Sequence, residues 1–366
     1  MKHWFQKTTD NTAVNLSRTT DSPQKRFSIV TKGKLLLLAV VMAGLWYLAA
    51  PAVLTTEERV LWKKVHAAQQ HLSQWREHNG SAASDESDPW NCGLIGVEWS
   101  GITTTLGDLS SKRTSCNPAW AVQFSRWFEE LGLKPGDHIA IYSSGSFPAL
   151  LLSSIAALEA MELKPLLIVS LGSSTWGANH PDNPWPVLAA ELRRSGFIRH
   201  RAEYYTLGGD GELGHGFSPE GEALLRTAAK DAGVELLTTD SLEEMIALKS
   251  NLLEKHQARL FVSIGGSHAN LGDALEVLRM QTGLVPSTDV EIAGNGVIGT
   301  AMRKSIPVLH MLNIRSLSSM VGIPYDSQPR EMAPARVSKW WSVAGVILFF
   351  AVVLRHRRWR LEPAEE

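Results

Sequence analysis

HIAIYSSGSFPALLLSSIAALEAMELKPLLIVSLGSSTWGAN, residues 138–179, decides the fold class. HIAIYSS (138–144) and KPLLIVSL (164–171) are short apolar runs of strand length, and the apolar segment 149–161 between them has the length of a helix. Parallel neighbours need a crossover, and a helix is the usual one, so strand, helix, strand predicts a parallel pair. The turn Lys134-Pro135-Gly136-Asp137 introduces the first strand.

Working outward, the alternation continues. Helices are predicted at 185–194, 219–232 and 241–255, and strands at 203–206, in VELLT, in ARLFVSIGG and in IPVLHML. Upstream, Asn117 and Pro118 suit the N-cap and first turn of a helix carrying Trp120, Phe124, Trp127, Phe128 and Leu131, stopped by Gly132. The expectation is an α/β domain over 91–330, with a Rossmann-like, mostly parallel sheet and helices on both faces. No internal repeat is evident.

Two apolar segments flank this domain. Residues 35–53 carry no charge, and WWSVAGVILFFAVVL (340–354) has a tryptophan pair at one end and Arg355, Arg357, Arg358 and Arg360 following the other. Both read as transmembrane helices, one N-terminal and one C-terminal. A cleaved signal peptide is the rival reading of the first, and a buried core helix that of the second. Lys25, Arg26, Lys32 and Lys34 precede the first segment, so the positive-inside rule puts both termini in the cytoplasm and the central domain outside a cell membrane. Residues 1–31 read as a disordered cytoplasmic tail and 355–366 as a basic one. Between span and domain, Thr55 and Glu58 have capping-box spacing, and Leu61, Val65, Ala68, Leu72 and Trp75 form the stripe of an amphipathic stalk helix over 55–79. That stripe fits either a second copy, giving a homodimer, or its own domain. SAASDESDPW, around 80–90, reads as a linker.

A formal net charge of −1 supplies no field to recruit nucleic acid, which is not expected as a partner. Cys92 and Cys116 are the two thiols; a disulfide between them is open, and their spacing fits no zinc site.

In a parallel sheet, ligands bind beyond the carboxyl ends of the strands. The loops there are Ser143-Ser144-Gly145-Ser146-Phe147-Pro148, Gly172-Ser173-Ser174-Thr175-Trp176-Gly177-Ala178-Asn179 and Gly265-Gly266-Ser267-His268-Ala269-Asn270. All are small and hydroxyl-rich, and their N–H groups suit carboxylates or phosphates. The same composition also makes ordinary tight turns and helix caps. Gly294-Asn295-Gly296-Val297-Ile298-Gly299 is a literal GxGxxG, but no acidic residue follows at the ribose position, so close helix packing is the better reading and no cofactor is expected. Ser144 or Ser146 with His268 or His310 offers a nucleophile and a base, although SSGSFP is not GxSxG. His180 and Asp182 read as loop residues rather than metal ligands, and Trp176 either stacks on a ligand or packs in the core.

Gly101-Ile102-Thr103-Thr104-Thr105-Leu106-Gly107, Lys112-Arg113-Thr114-Ser115, Asn117-Pro118, KPGD, the block SSGSFP through SSTWGAN, and IPVLHMLNI form a set. Together they resemble the bacterial poly-gamma-glutamate system proteins, accessories of the ligase and export components of gamma-linked polyglutamate capsules. The resemblance covers most of 95–320. It implies a role in making, exporting or anchoring the polymer, with synthesis or export subunits, the membrane and the polymer itself as partners, and it brings no catalytic residue. From the family blocks and the loops, the ligand-binding candidates are Thr104, Thr105, Lys112, Arg113, Ser144, Gly145, Ser146, Ser173, Ser174, Trp176, Asn179, Gly265, Gly266, Ser267, His268 and Asn270. Cys116 departs from the family pattern, and pairing with Cys92 argues against a ligand-facing role for its segment. The first functional reading is a non-catalytic, membrane-anchored accessory. The second is a membrane-tethered serine hydrolase or transpeptidase using Ser146 with His268.

Overall fold

The computed structural model describes residues 29–49, 53–285, 292–334 and 339–355. They divide into two compact units, the larger being Pro51–Val337.

In the smaller unit, α1 (Ile29–Ala49) and α12 (Lys339–Arg355) pack on each other, with Gly345 facing Met42 and Leu45. These are the segments expected to cross a membrane, and that expectation is corrected: among the described residues no helix is long and apolar enough to do so. The 17 residues of α12 reach about 25 Å, short of a hydrocarbon core of about 30 Å. In α1 the uncharged run begins after Lys34 and the described helix reaches Ala49, so 35–49 covers about 22 Å. The two-span topology and the outward placement of the central domain lose their basis with it. Residues 1–28 and 356–366, which hold most of the two proposed tails, lie outside the described residues, while 29–31 belong to α1.

The larger unit is α/β. Its small strands and first helices are α2 (Thr56–His78), β1 (Thr103–Thr105), α3 (Leu109–Ser115) and α4 (Ala119–Glu130). The main sheet then begins with β2 (His138–Ser144), α5 (Pro148–Ala160) and β3 (Lys164–Ser170); β4 (Ser173–Ser174), α6 (Trp185–Arg194), β5 (Tyr204–Thr206), α7 (Pro219–Asp231) and β6 (Glu235–Leu237) follow. The last part runs α8 (Leu242–His256), β7 (Phe261–Ile264), α9 (His268–Leu271), β8 (Gly283–Val285), α10 (Val297–Arg303), β9 (Val308–Met311) and α11 (Ile314–Val321). Seven strands form the sheet β6-β5-β3-β2-β7-β9-β8, parallel except for β8, which runs antiparallel to β9 and makes the sheet mixed.

Period-two side chains divide the core. Ile139 and Ile141 of β2, with Leu167 and Val169 of β3, join the cluster containing buried residues of α2, α4 and α5. Ala140 and Tyr142, with Leu166 and Ile168, pack with buried residues of α8 and α10 on the opposite face. Each such aliphatic side chain stabilises the fold by roughly 1.5–3 kcal/mol.

The predicted stalk is part of this body. The Thr55–Glu58 capping box starts α2, and Leu61, Val65, Ala68 and Leu72 are buried, the helix packing on α4, α5 and α6. Its apolar stripe is therefore covered by its own chain. The segment expected to be a linker is fastened too, since Asp88 accepts from the N–H groups of Cys92 (2.9 Å) and Gly93 (2.8 Å). The GxGxxG glycines serve packing: a Cβ on Gly299 would stand 2.1 Å from the Gly294 carbonyl oxygen, and one on Gly296 2.5 Å from that of Asn270.

Candidate functional site

The order of chain tracing reverses at β2. The path steps from β2 through β3 and β5 to β6 on one side, then returns to β7 on the other. Such a switch point leaves a crevice beyond the strand ends, because the loops from the two neighbours depart in opposite directions. A cleft of about 780 Å³ lies there, and it takes Ser144 and Ser146 from the first loop, Gly172 and Ser174 from the second, and Gly266, Ser267 and His268 from the third.

The TTTLG block reaches the same place through hydrogen bonding. β1 pairs with β4 in a separate two-stranded sheet, and Gly107 N donates to Thr175 Oγ1 at 2.6 Å. Thr104 and Thr105 thereby line the cleft. Asp108 then caps α3, accepting from Ser111 N at 2.9 Å, and the helix carries Lys112 inward.

Lys112 is 2 % exposed. Its Nζ donates to Ser174 Oγ at 2.7 Å and to the Ser146 carbonyl, and lies 4.0 Å from the centre of the Phe147 ring. Burial pushes the ammonium down to about 7, against the attraction of Asp108. Ser146 Oγ accepts from Ser174 N at 3.0 Å.

On the other wall, Glu212 and Lys249 form an ion pair with both side chains 1 % exposed. Glu212 also accepts from Ser170 Oγ at 2.9 Å and from Ser267 Oγ. Burial opposes ionisation of Glu212, but the Lys249 ammonium and these hydroxyls hold its carboxyl below the ordinary range. His268 Nδ1 accepts from Gly211 N at 3.0 Å and stands 3.0 Å from Asp210 Oδ1.

Two features beside the cleft lack side-chain partners. α5 starts without a side-chain cap at Phe147. Ser144 Oγ, in a residue 6 % exposed, has no hydrogen-bond partner among the described residues. Gly265, at φ +80°, leaves the room: a Cβ there would fall 2.2 Å from that hydroxyl.

The other candidates brace the loops rather than line the cleft. Gly145 joins two of them, donating to Ser170 O (2.7 Å) and accepting from Ala178 N (2.8 Å). Ser173 Oγ bonds Ser174 O, and Trp176 N donates to Val97 O at 2.8 Å. Asn179, fully buried, bonds Val97 and Thr103, while Asn270 Nδ2 donates to Tyr142 O and Ser263 Oγ. Arg113 points away from the cleft, its guanidinium donating to the Ser87 and Glu86 carbonyls and lying 3.6 Å from Asp326. Cys92 and Cys116 are disulfide-bonded, with Cα atoms 6.0 Å apart, yet the bond leaves Lys112 in the cleft. No hydrogen bond joins Ser146 to His268 among the described residues; Ser146 Oγ accepts from Ser174 N and His268 Nδ1 from Gly211 N.

A fourth wall was missed from sequence. LGGDGELGHG (207–216) follows β5 and contributes Gly208, Gly209, Asp210, Glu212, His215 and Gly216. Five glycines with positive φ, interleaved with two acids and a histidine after a strand end, were the available signal. No protein-family model matches the chain, and no curated protein matches it either.

Proposed function

We propose that the cleft binds a chain of amide-linked, regularly spaced carboxylates, and that the protein serves poly-gamma-glutamate synthesis or export by holding this polymer. The observation that carries the reading is the convergence of serine- and glycine-rich loops on one cleft, with Ser144, whose hydroxyl has no partner among the described residues, in its lining. N–H groups and hydroxyls at a helix start bind carboxylates without the cost of burying further cations. Two of the cleft acids are themselves engaged: Glu212 by Lys249, and Asp108 by Ser111 and Tyr325. The resemblance of TTTLG, SSGSFP and SSTWGAN to the poly-gamma-glutamate system proteins names the polymer, and all three blocks contribute residues to this cleft.

The test is retention of the full-length protein on immobilised poly-gamma-glutamate, against an uncharged polyamide and a sulfated polysaccharide. Retention by the first alone is the expected result. Equal retention by the sulfated chain would reduce the site to an unspecific anion binder, and absence of retention on all three would overturn the reading.

A further inference from the structure

We propose that Ser174 and Lys112 form a nucleophile and base pair that hydrolyses amide bonds of the chain held in the cleft. The proposal rests on the polymer-binding reading, and replaces Ser146 and His268, which have other partners, as the reacting groups.

Two lysines contact serine hydroxyls of this cleft, Lys112 lining it and Lys249 lying behind it, and their surroundings separate them. Lys249 Nζ lies 3.3 Å from Ser267 Oγ, but it also donates to both oxygens of Glu212, at 3.1 and 3.0 Å. Burial lowers this ammonium too, but the Glu212 carboxylate opposes the shift and holds Lys249 as its hydrogen-bonded partner. Lys112 has no carboxylate among its hydrogen-bond partners: these are Ser174 Oγ, the Ser146 carbonyl and the Phe147 face. Asp108 supplies the nearest opposing charge, while Asp210, Glu212, His215 and His268 lie elsewhere in the same cleft. Burial without a counter-ion makes the neutral amine accessible near neutral pH, as a general base requires.

The chemistry balances with water as the only co-reactant. Neutral Lys112 takes the Ser174 hydroxyl proton as Oγ bonds to the amide carbon. The carbon–nitrogen bond then breaks, and the departing nitrogen takes that proton from Lys112, leaving a Ser174 ester and a free amine. Water attacks the ester and gives a proton to Lys112; the carbon–Oγ bond breaks, Oγ recovers the proton, and a carboxylic acid is released. The Ser144 hydroxyl, which has no partner among the described residues, is the donor assigned to the oxyanion.

Full-length protein is incubated with poly-gamma-glutamate of defined length, following chain length and new amino groups, with retention on the immobilised polymer measured in parallel. The expected result is shortening that rises with pH through about 7 and falls at least about 100-fold in Ser174→Ala, with retention kept. Lys112→Met and Lys112→Arg should lose cleavage equally, while Arg113→Ala, whose guanidinium points away from the cleft, should keep it; melting curves identify any variant that fails to fold. Polymer retained but never shortened by the wild type would overturn the dyad and leave the binding reading intact. Shortening that survives in Ser174→Ala would overturn it too, and loss of retention with loss of shortening would overturn both.

Discussion

Lys249 Nζ lies 3.0 Å from Glu212 Oε2 across a span of 37 residues, with both side chains 1 % exposed. Glu212 holds a left-handed backbone, φ +61°, inside the glycine-rich 207–216 turn. The pair therefore ties the turn to α8, and through Ser170 and Ser267 to the ends of β3 and β7. It sets the shape of the cleft as much as its charge.

Removing one partner leaves a buried charge without compensation. Lys249→Met alone should lower unfolding stability by about 3–5 kcal/mol, and Glu212→Gln by a similar amount. Lys249→Met with Glu212→Gln should cost less than the two single losses added together. Urea unfolding midpoints of the three variants check this; additive losses would mean the pair is not coupled.

The disulfide closes a loop with a sequence separation of 24 residues, for which chain entropy predicts a stabilisation of about 3 kcal/mol. Reduction, or Cys92→Ser, should shift the urea midpoint accordingly. Since Cys116 ends α3 and Gln69 Nε2 donates to its carbonyl at 2.7 Å, the loss should be felt in the packing of α2 as well.

Acid should lower the protein's stability over two pH windows. Burial pushes the Glu159 carboxyl up, but His200, two N–H groups and Lys64 outweigh it and hold the group at about 2. Burial pushes His310 down to about 4. Both folded-state values are depressed, so both contributions are complete above the unfolded values and fade as pH falls, from about 6.5 to 4 for His310 and from about 4.5 to 2 for Glu159. The His310 contribution is worth on the order of 3 kcal/mol, and that of Glu159 less, because solvent screens it. A stability profile against pH should fall in the upper window for wild type, and His310→Gln should flatten that part alone.

Arg113 braces the segment that carries Asp88 rather than meeting a ligand. Arg113→Ala should cost about 1–2 kcal/mol and leave retention on poly-gamma-glutamate unchanged. A strong loss of retention in a folded variant would place its guanidinium on the polymer after all.

How much of this was legible follows from what periodicity encodes. β2, α5 and β3 were readable because apolar runs of distinct length alternate there, and their loops had to meet at one sheet edge. β1 and β4, with three and two residues, are too short to show a period, so the partnership that brings Thr104 and Thr105 to Ser174 was invisible. Lys112 and Arg113 are neighbours in sequence, but successive helical residues point about 100° apart, which sends one into the cleft and the other to Ser87. Glu212 and Lys249 carry no local signal at all, since only the tertiary path joins them. The apolar flanks misled because hydropathy registers an uncharged run without showing how much of it one helix holds, and the described part of α1 takes that run only to Ala49.

The central claim is that the cleft holds carboxylates, and Gly266 tests it most directly. The residue is exposed on the cleft rim, and a Cβ there meets nothing closer than 3.6 Å, so a side chain fits without strain. Retention on poly-gamma-glutamate is measured for Gly266→Ala, Gly266→Asp and Gly266→Lys, with melting curves confirming the fold. The prediction is near wild-type retention for alanine, at least about a tenfold loss for aspartate and a gain for lysine. Three folded variants that retain the polymer equally would contradict the account, because no carboxylate would then lie within reach of this rim.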